Sequence, residues 1–181
     1  MPEIDTKKSG KGTHMDAREL TRGASFCALG ILTPIVFHMM GLGKLFLPMH
    51  IPILVAGAVL SFPVGISVAI LTPFLSMLLT GMPPFPYAIL MCFELMALSG
   101  AAFLFTRTRI PLLLALAFAI LIRCAVTWVI TFQFSRLLGL PPHITGCISI
   151  ISGFPGIILQ LIIAPAAILS IRSRLASIRF D

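Results

Sequence analysis

Apolar residues run along this chain in long stretches, and charged residues gather at their ends. The stretches cover roughly 23–41, 51–80, 85–105, 110–134 and 145–171. Most reach the roughly 18–20 residues that a helix needs to cross hydrocarbon. The second is interrupted at Ser61-Phe62-Pro63-Val64-Gly65, where proline and glycine favour a turn. It reads either as one long kinked helix or as a hairpin of two short ones. The basic residues choose between them. With a hairpin, Lys7, Lys8, Lys11, Arg18, Arg22, Arg107, Arg109, Arg172, Arg174 and Arg179 share one side, against Lys44 and Arg136 on the other, and Arg123 falls inside a span. With a single helix the same residues divide evenly. Cytoplasmic loops carry the excess of Lys and Arg, so the pattern predicts six transmembrane helices with both termini cytoplasmic. The hairpin entails short helices. At about 1.5 Å per residue, 64–80 covers about 26 Å of a core about 30 Å thick, and the second helix, about 48–62, is shorter still. Such helices persist where others surround them or where they line a cavity.

Composition agrees with an all-α integral membrane protein. Of 181 residues, 58% are hydrophobic and 10% charged, where a soluble domain carries about 25% charged. The mean hydropathy is +1.07. Too few polar side chains exist to cover a soluble globule, a disordered chain or a coiled coil. The organisation is a basic tail over 1–22, a membrane domain over 23–171 and a basic tail over 172–181. The net charge of +7 is an orientation signal rather than a nucleic-acid footprint. The polar start reads as a cytoplasmic tail, not a cleaved signal peptide. Cys27, Cys92, Cys124 and Cys147 lie in apolar segments without CxxC spacing, as small packing residues do. The run Ser9–Thr13 lacks the leading glycine and the Lys-Ser/Thr pair of a phosphate loop, so this chain is not expected to hydrolyse ATP.

Ionisable residues inside a span mark function by default. Two stand out. Glu94 lies about 13 Å in from the outer end near Phe85, and Arg123 about 16 Å in from the outer end near Phe134. On adjacent antiparallel helices they would meet at one level, either as a pair joining two helices or as the lining of a polar pocket. His38, His50 and His143 fall at the outer face with Met39, Met40, Met49 and Met82. They read as caps and packing residues, or as an outer site for a hydrogen-bonding ligand, a soft metal or a haem-like group. No HxxH or HExxH spacing supports a preformed metal site. The loops 41–52 and 80–87, rich in Gly and Pro, are natural lids over an outward cavity. Trp128 and Tyr87 near the outer side serve as interface anchors or as stacking partners for a ring-shaped ligand. In the first helix Ala24 and Ala28 form a small-residue pair that lets another helix approach closely in lipid.

Six short helices in this length, cytoplasmic termini, the Ala24/Ala28 pair and the run from Phe46 to Leu95 together resemble the substrate-binding S component of an energy-coupling factor (ECF) transporter. The resemblance covers most of residues 20–172. It implies a substrate-capture subunit of an ATP-driven importer, multi-pass in a prokaryotic-type plasma membrane, binding a vitamin or related micronutrient without a cofactor of its own. Its partners would be a transmembrane coupling protein, docked through Ala24 and Ala28, and two ATPase subunits. The whole subunit would topple in the membrane to release substrate inward. The loop of Gly81, Met82, Pro83, Pro84 and Pro86 would gate the pocket. By topology, Glu94, Arg123, Gln133 and His143 would contribute to binding, with His38, His50, Trp128 and Tyr87 as further candidates. An aromatic or anionic vitamin precursor such as pantothenate or a cobalamin building block ranks first as substrate, a tetrapyrrole second and a metal ion third. An intramembrane enzyme is the rival class. The sequence offers it no Ser or Cys with a neighbouring base and no paired acidic motif.

Overall fold

The structure, a computed structural model, describes residues 16–41, 48–85, 87–134 and 153–177. Among them are six helices and no strand: α1 (Ala17–Met39), α2 (His50–Val59), α3 (Phe62–Thr80), α4 (Tyr87–Phe105), α5 (Leu112–Phe134) and α6 (Phe154–Ser177). All but α2 are long and apolar enough to cross a membrane, which makes this an all-α, multi-pass membrane protein.

The hairpin expected within 51–80 is present, with its break one step earlier than the Pro-Gly signal. Leu60 and Ser61 are extended, at ψ 170° and 157°. Pro63 sits in the first turn of α3, where an amide N–H has no intrahelical partner and its absence costs nothing. Gly65 is helical and buried. The second helix is correspondingly shorter than the expected 48–62. It has ten residues, about 15 Å at 1.5 Å each, half the thickness of a hydrocarbon core. Five helices are thus of spanning length, and the sixth reaches midway.

This short helix is the hub. It packs against α1, α3, α4 and α6, and from Pro52 to Ala58 every residue is buried. Close approach to α4 depends on Gly57, where a Cβ would lie 2.4 Å from the Ser99 carbonyl oxygen. Without a hydrophobic driving force between helices in lipid, such small-residue contacts let backbones meet and gain dispersion energy. Gly23 and Gly30 play the same part for α1, whose buried face they share with Cys27, against Val64 and Thr72 of α3. Cys27 and Cys92 are buried and free, as expected of packing residues; Cys147 lies outside the described residues.

The helix ends at the foot of α2 converge. Arg172 Nη2 donates to the Ala58 carbonyl at 3.2 Å and Arg107 Nη2 to the Leu60 carbonyl at 2.9 Å. Arg107 also lies over the Phe103 ring, 3.6 Å from its centre. The Glu19 carboxylate accepts the Ser61 N–H. The start of α1, the α2–α3 turn, the α4–α5 turn and the last turns of α6 therefore lie at one end, here called the basic end. Partial burial and the nearby Arg172 lower the pKa of Arg107, against a smaller opposing effect of Glu19. A guanidinium stays charged regardless.

Gly57→Ala places a methyl group against the Ser99 backbone and is expected to destabilise the fold by about 1–3 kcal/mol. Thermal unfolding in mild detergent checks this, with Gly100→Ala as a comparison at a helical glycine whose added methyl would meet only side-chain atoms at 3.7 Å.

Candidate functional site

Three ionisable side chains meet where α2 begins. Glu94 lies on the buried face of α4 with Leu90 and Leu98, one turn to either side. Its Oε2 is 3.8 Å from Arg123 Nη1 of α5 and 3.5 Å from His50 Nε2, the first residue of α2. Relative exposures are 7% for Glu94, 4% for Arg123 and 1% for His50. Thr127, one turn along α5, is buried on the same face and donates to the Arg123 carbonyl at 3.0 Å. Arg123 Nη2 approaches Cys124 Sγ at 3.4 Å. Its Nε has no hydrogen-bond partner.

The Glu94–Arg123 meeting is the one that counting residues along the two helices anticipates. The position of His50 is a correction. The sequence sets it at the outer face beside His38 and His143, whereas the structure buries it. The reason is the length of α2: a ten-residue helix rooted at the basic end starts near mid-membrane, so its first residue is deep.

Buried faces change character at this level. Along α5 the inner half buries Ala115, Leu116, Ala119 and Ile120, and the outer half buries Arg123, Thr127 and Thr131. These last three are spaced four apart and share one face. On α6 the buried stripe runs Gly156, Gln160, Ala164, Ile168, again polar only toward the outer end. Gln160 is fully buried, and neither its Oε1 nor its Nε2 has a partner among the described residues. Thr131 Oγ1 is also without one. The sequence reading missed Gln160, Thr127 and Thr131. A lone Gln in the apolar run from Ile157 to Ile163 was the available signal, as was the i, i+4, i+8 register with Arg123.

Other candidates stand elsewhere. His38 is exposed in the last turn of α1, its Nδ1 3.0 Å from the Pro34 carbonyl oxygen. Trp128 is 49% exposed and stacks on exposed Phe132, ring centres 5.7 Å apart, outside the bundle. Tyr87 is half-buried at the start of α4. The structure does not bring these three to the Glu94 group. The Gln133 side chain, His143 and Pro86 lie outside the described residues. The segment after α3 is anchored to it. Gly81 adopts φ +72°, the left-handed conformation that glycine tolerates at a helix C-terminus. The Met82 carbonyl then accepts from Ser76 Oγ at 2.8 Å and from Thr80 Oγ1 at 3.3 Å.

A separate cleft of about 320 Å³ opens between α1, α2 and α6, lined by residues including Phe26, Phe37, Pro52, Ile163 and Ile171. Its one hydroxyl, Thr33 Oγ1, is engaged by the Leu29 and Pro48 carbonyls. It offers a polar ligand nothing. Among the described residues no three His, Cys, Asp or Glu side chains gather as a metal site would require.

Comparison of the chain with protein-family models, with curated proteins and with solved structures found no match.

Removing one member of a buried ion pair strands the other, at about 3–5 kcal/mol, while replacing both by apolar groups is far less harmful. Arg123→Met and Glu94→Leu should therefore each destabilise strongly, and the double variant should recover most of the loss. A double-mutant cycle on thermal unfolding measures that coupling.

Proposed function

We propose that this protein is the substrate-capture membrane subunit of an ECF-type importer, resident in a prokaryotic-type plasma membrane with its basic end toward the cytoplasm. The orientation follows from the positive-inside rule. It places both chain ends inside and the outer halves of α4, α5 and α6 toward the exterior. The observation that carries the reading is the gathering of buried, hydrogen-bonding side chains of α5 and α6 in that outer half, above a floor formed by His50, Glu94 and Arg123. Intramembrane polar groups are retained against a free-energy penalty and mark ligand paths. A small organic micronutrient of the vitamin class is the ligand this suits. A tetrapyrrole or metal ion fits less well, since His38 stands apart from His50.

The docking half of the reading draws support from α1. Leu20, Ala24, Ala28, Leu32 and Val36 form an exposed ridge at four-residue spacing, running alongside the buried Gly23, Cys27 and Gly30 and away from them toward the outer end. Its two alanines lower the centre of the ridge, as close approach of a partner helix needs. The partner is a transmembrane coupling protein bearing two ATPase subunits.

Two measurements test this. Protein purified in mild detergent is expected to release a small molecule on denaturation, detected by mass spectrometry, and a folded Glu94→Gln variant is expected to release much less. With Ala24 and Ala28 both replaced by Leu, ligand retention should persist while uptake into cells is lost. Unchanged uptake refutes the docking role, and undiminished retention in Glu94→Gln removes that residue from the site.

A further inference from the structure

The unpartnered groups above the floor say what kind of molecule fits there. Levels along the bundle follow from the contacts at the basic end. Arg172 of α6 reaches Ala58 of α2. His50 is eight residues from Ala58, about 12 Å, and Gln160 is twelve residues from Arg172, about 18 Å. Gln160 thus lies about one turn above the start of α2. Thr131 lies two turns beyond Arg123 on the facing stripe of α5, and α5 and α6 are in contact.

Glu94 and Arg123 balance one another, with the His50 imidazole beside the carboxylate. Glu94 and Arg123 are the only buried Asp, Glu, Lys or Arg side chains among the described residues, and they face one another. An anion entering this level finds its one guanidinium shared with a carboxylate, and a cation finds its one carboxylate shared with a guanidinium. What is left over is neutral hydrogen-bonding capacity. The Gln160 amide supplies one carbonyl acceptor and two N–H donors, and Thr131 a hydroxyl. A buried amide with neither end paired is destabilising in a low-dielectric interior, so its retention calls for a partner presenting a matching acceptor beside a donor.

We infer that the ligand is an uncharged molecule carrying a lactam, imide or carboxamide edge, read by Gln160 and Thr131 above the neutral Glu94–Arg123 floor. This rests on the capture function proposed above and sharpens it, turning the ranking away from carboxylated precursors such as pantothenate.

The test compares wild type with Gln160→Leu and Thr131→Val, each purified identically in mild detergent and analysed for released small molecules. Both substitutions remove hydrogen-bonding groups without adding side-chain heavy atoms, and ligand-free Gln160→Leu should melt no lower than ligand-free wild type. The expected result is a released compound that is uncharged at neutral pH and contains an amide or imide. Retention should fall at least about tenfold in each variant, the equivalent of one lost hydrogen bond. A released carboxylate, phosphate or quaternary amine overturns the inference and leaves capture standing. So does equal retention by Gln160→Leu. If wild type releases no small molecule at all, the capture reading falls and takes the inference with it.

Discussion

A helix half as long as the membrane is thick sets the terms for everything around it. In hydrocarbon each backbone N–H and C=O must be satisfied within the protein, and α2 has one end at the basic face and the other in the interior. Its last carbonyls are met by two guanidiniums, those of Arg172 and Arg107, and its first residue by the Glu94 carboxylate. These signs match the helix dipole, whose N-terminal end is positive and C-terminal end negative. Four spanning helices enclose the rest, and the closest of these contacts, with α4, exists because residue 57 has no side chain. The charges and the glycine are therefore parts of one solution. Without them a ten-residue segment would have no reason to sit at the centre of a membrane bundle.

The same helix divides the protein along its axis. Beside α2 the neighbours bury alkyl groups, with Leu98, Leu116 and Ile168 fully inside. Past its first residue they bury Arg123, Thr127, Thr131 and Gln160. Hydrophobic packing and polar recognition are thus stacked rather than mixed. Ser99 is the exception in the inner half, a buried hydroxyl beside Gly57 and Gly65, and its small size is what that crossing needs. The apolar cleft between α1, α2 and α6 fits the same division, since nearly all its lining is hydrocarbon.

Much of this was legible in the chain, for definable reasons. Spanning helices declare themselves through length and hydropathy. The pairing of Glu94 with Arg123 followed from counting residues inward from two helix ends, because rise per residue is fixed. The depth of His50 was not legible, since it depends on where α2 ends rather than where its apolar run begins. Pro63 and Gly65 pointed one turn late, because proline is accepted inside the first turn of a helix and gives no sign of the two extended residues before it. Gln160 went unread for a different reason. Hydropathy averages over a window, so one uncharged polar residue among isoleucines and leucines barely lowers it. Only facing and burial distinguish such a residue from one at the lipid surface. Trp128 shows the converse: an aromatic near the outer side looked suited to stacking on a ring, but it lies about 100° around the helix from Thr127 and so faces outward.

The ion-paired Glu94 and Arg123 in the floor have a consequence for transport under the proposed function. The resemblance to S components implies that the whole subunit reorients in the membrane, and any net charge carried through the field does work, about 2.3 kcal/mol per elementary charge per 100 mV. A site built on an unbalanced arginine would couple its affinity and its reorientation to the membrane potential, as would a charged cargo. Pairing Arg123 with Glu94 cancels the contribution of those two charges, and an uncharged ligand adds none of its own. Recognition then falls to uncharged donors and acceptors, which hold the ligand equally well at any potential. The positions left over after the ion pair is made, Gln160 and Thr131, carry only groups of that kind.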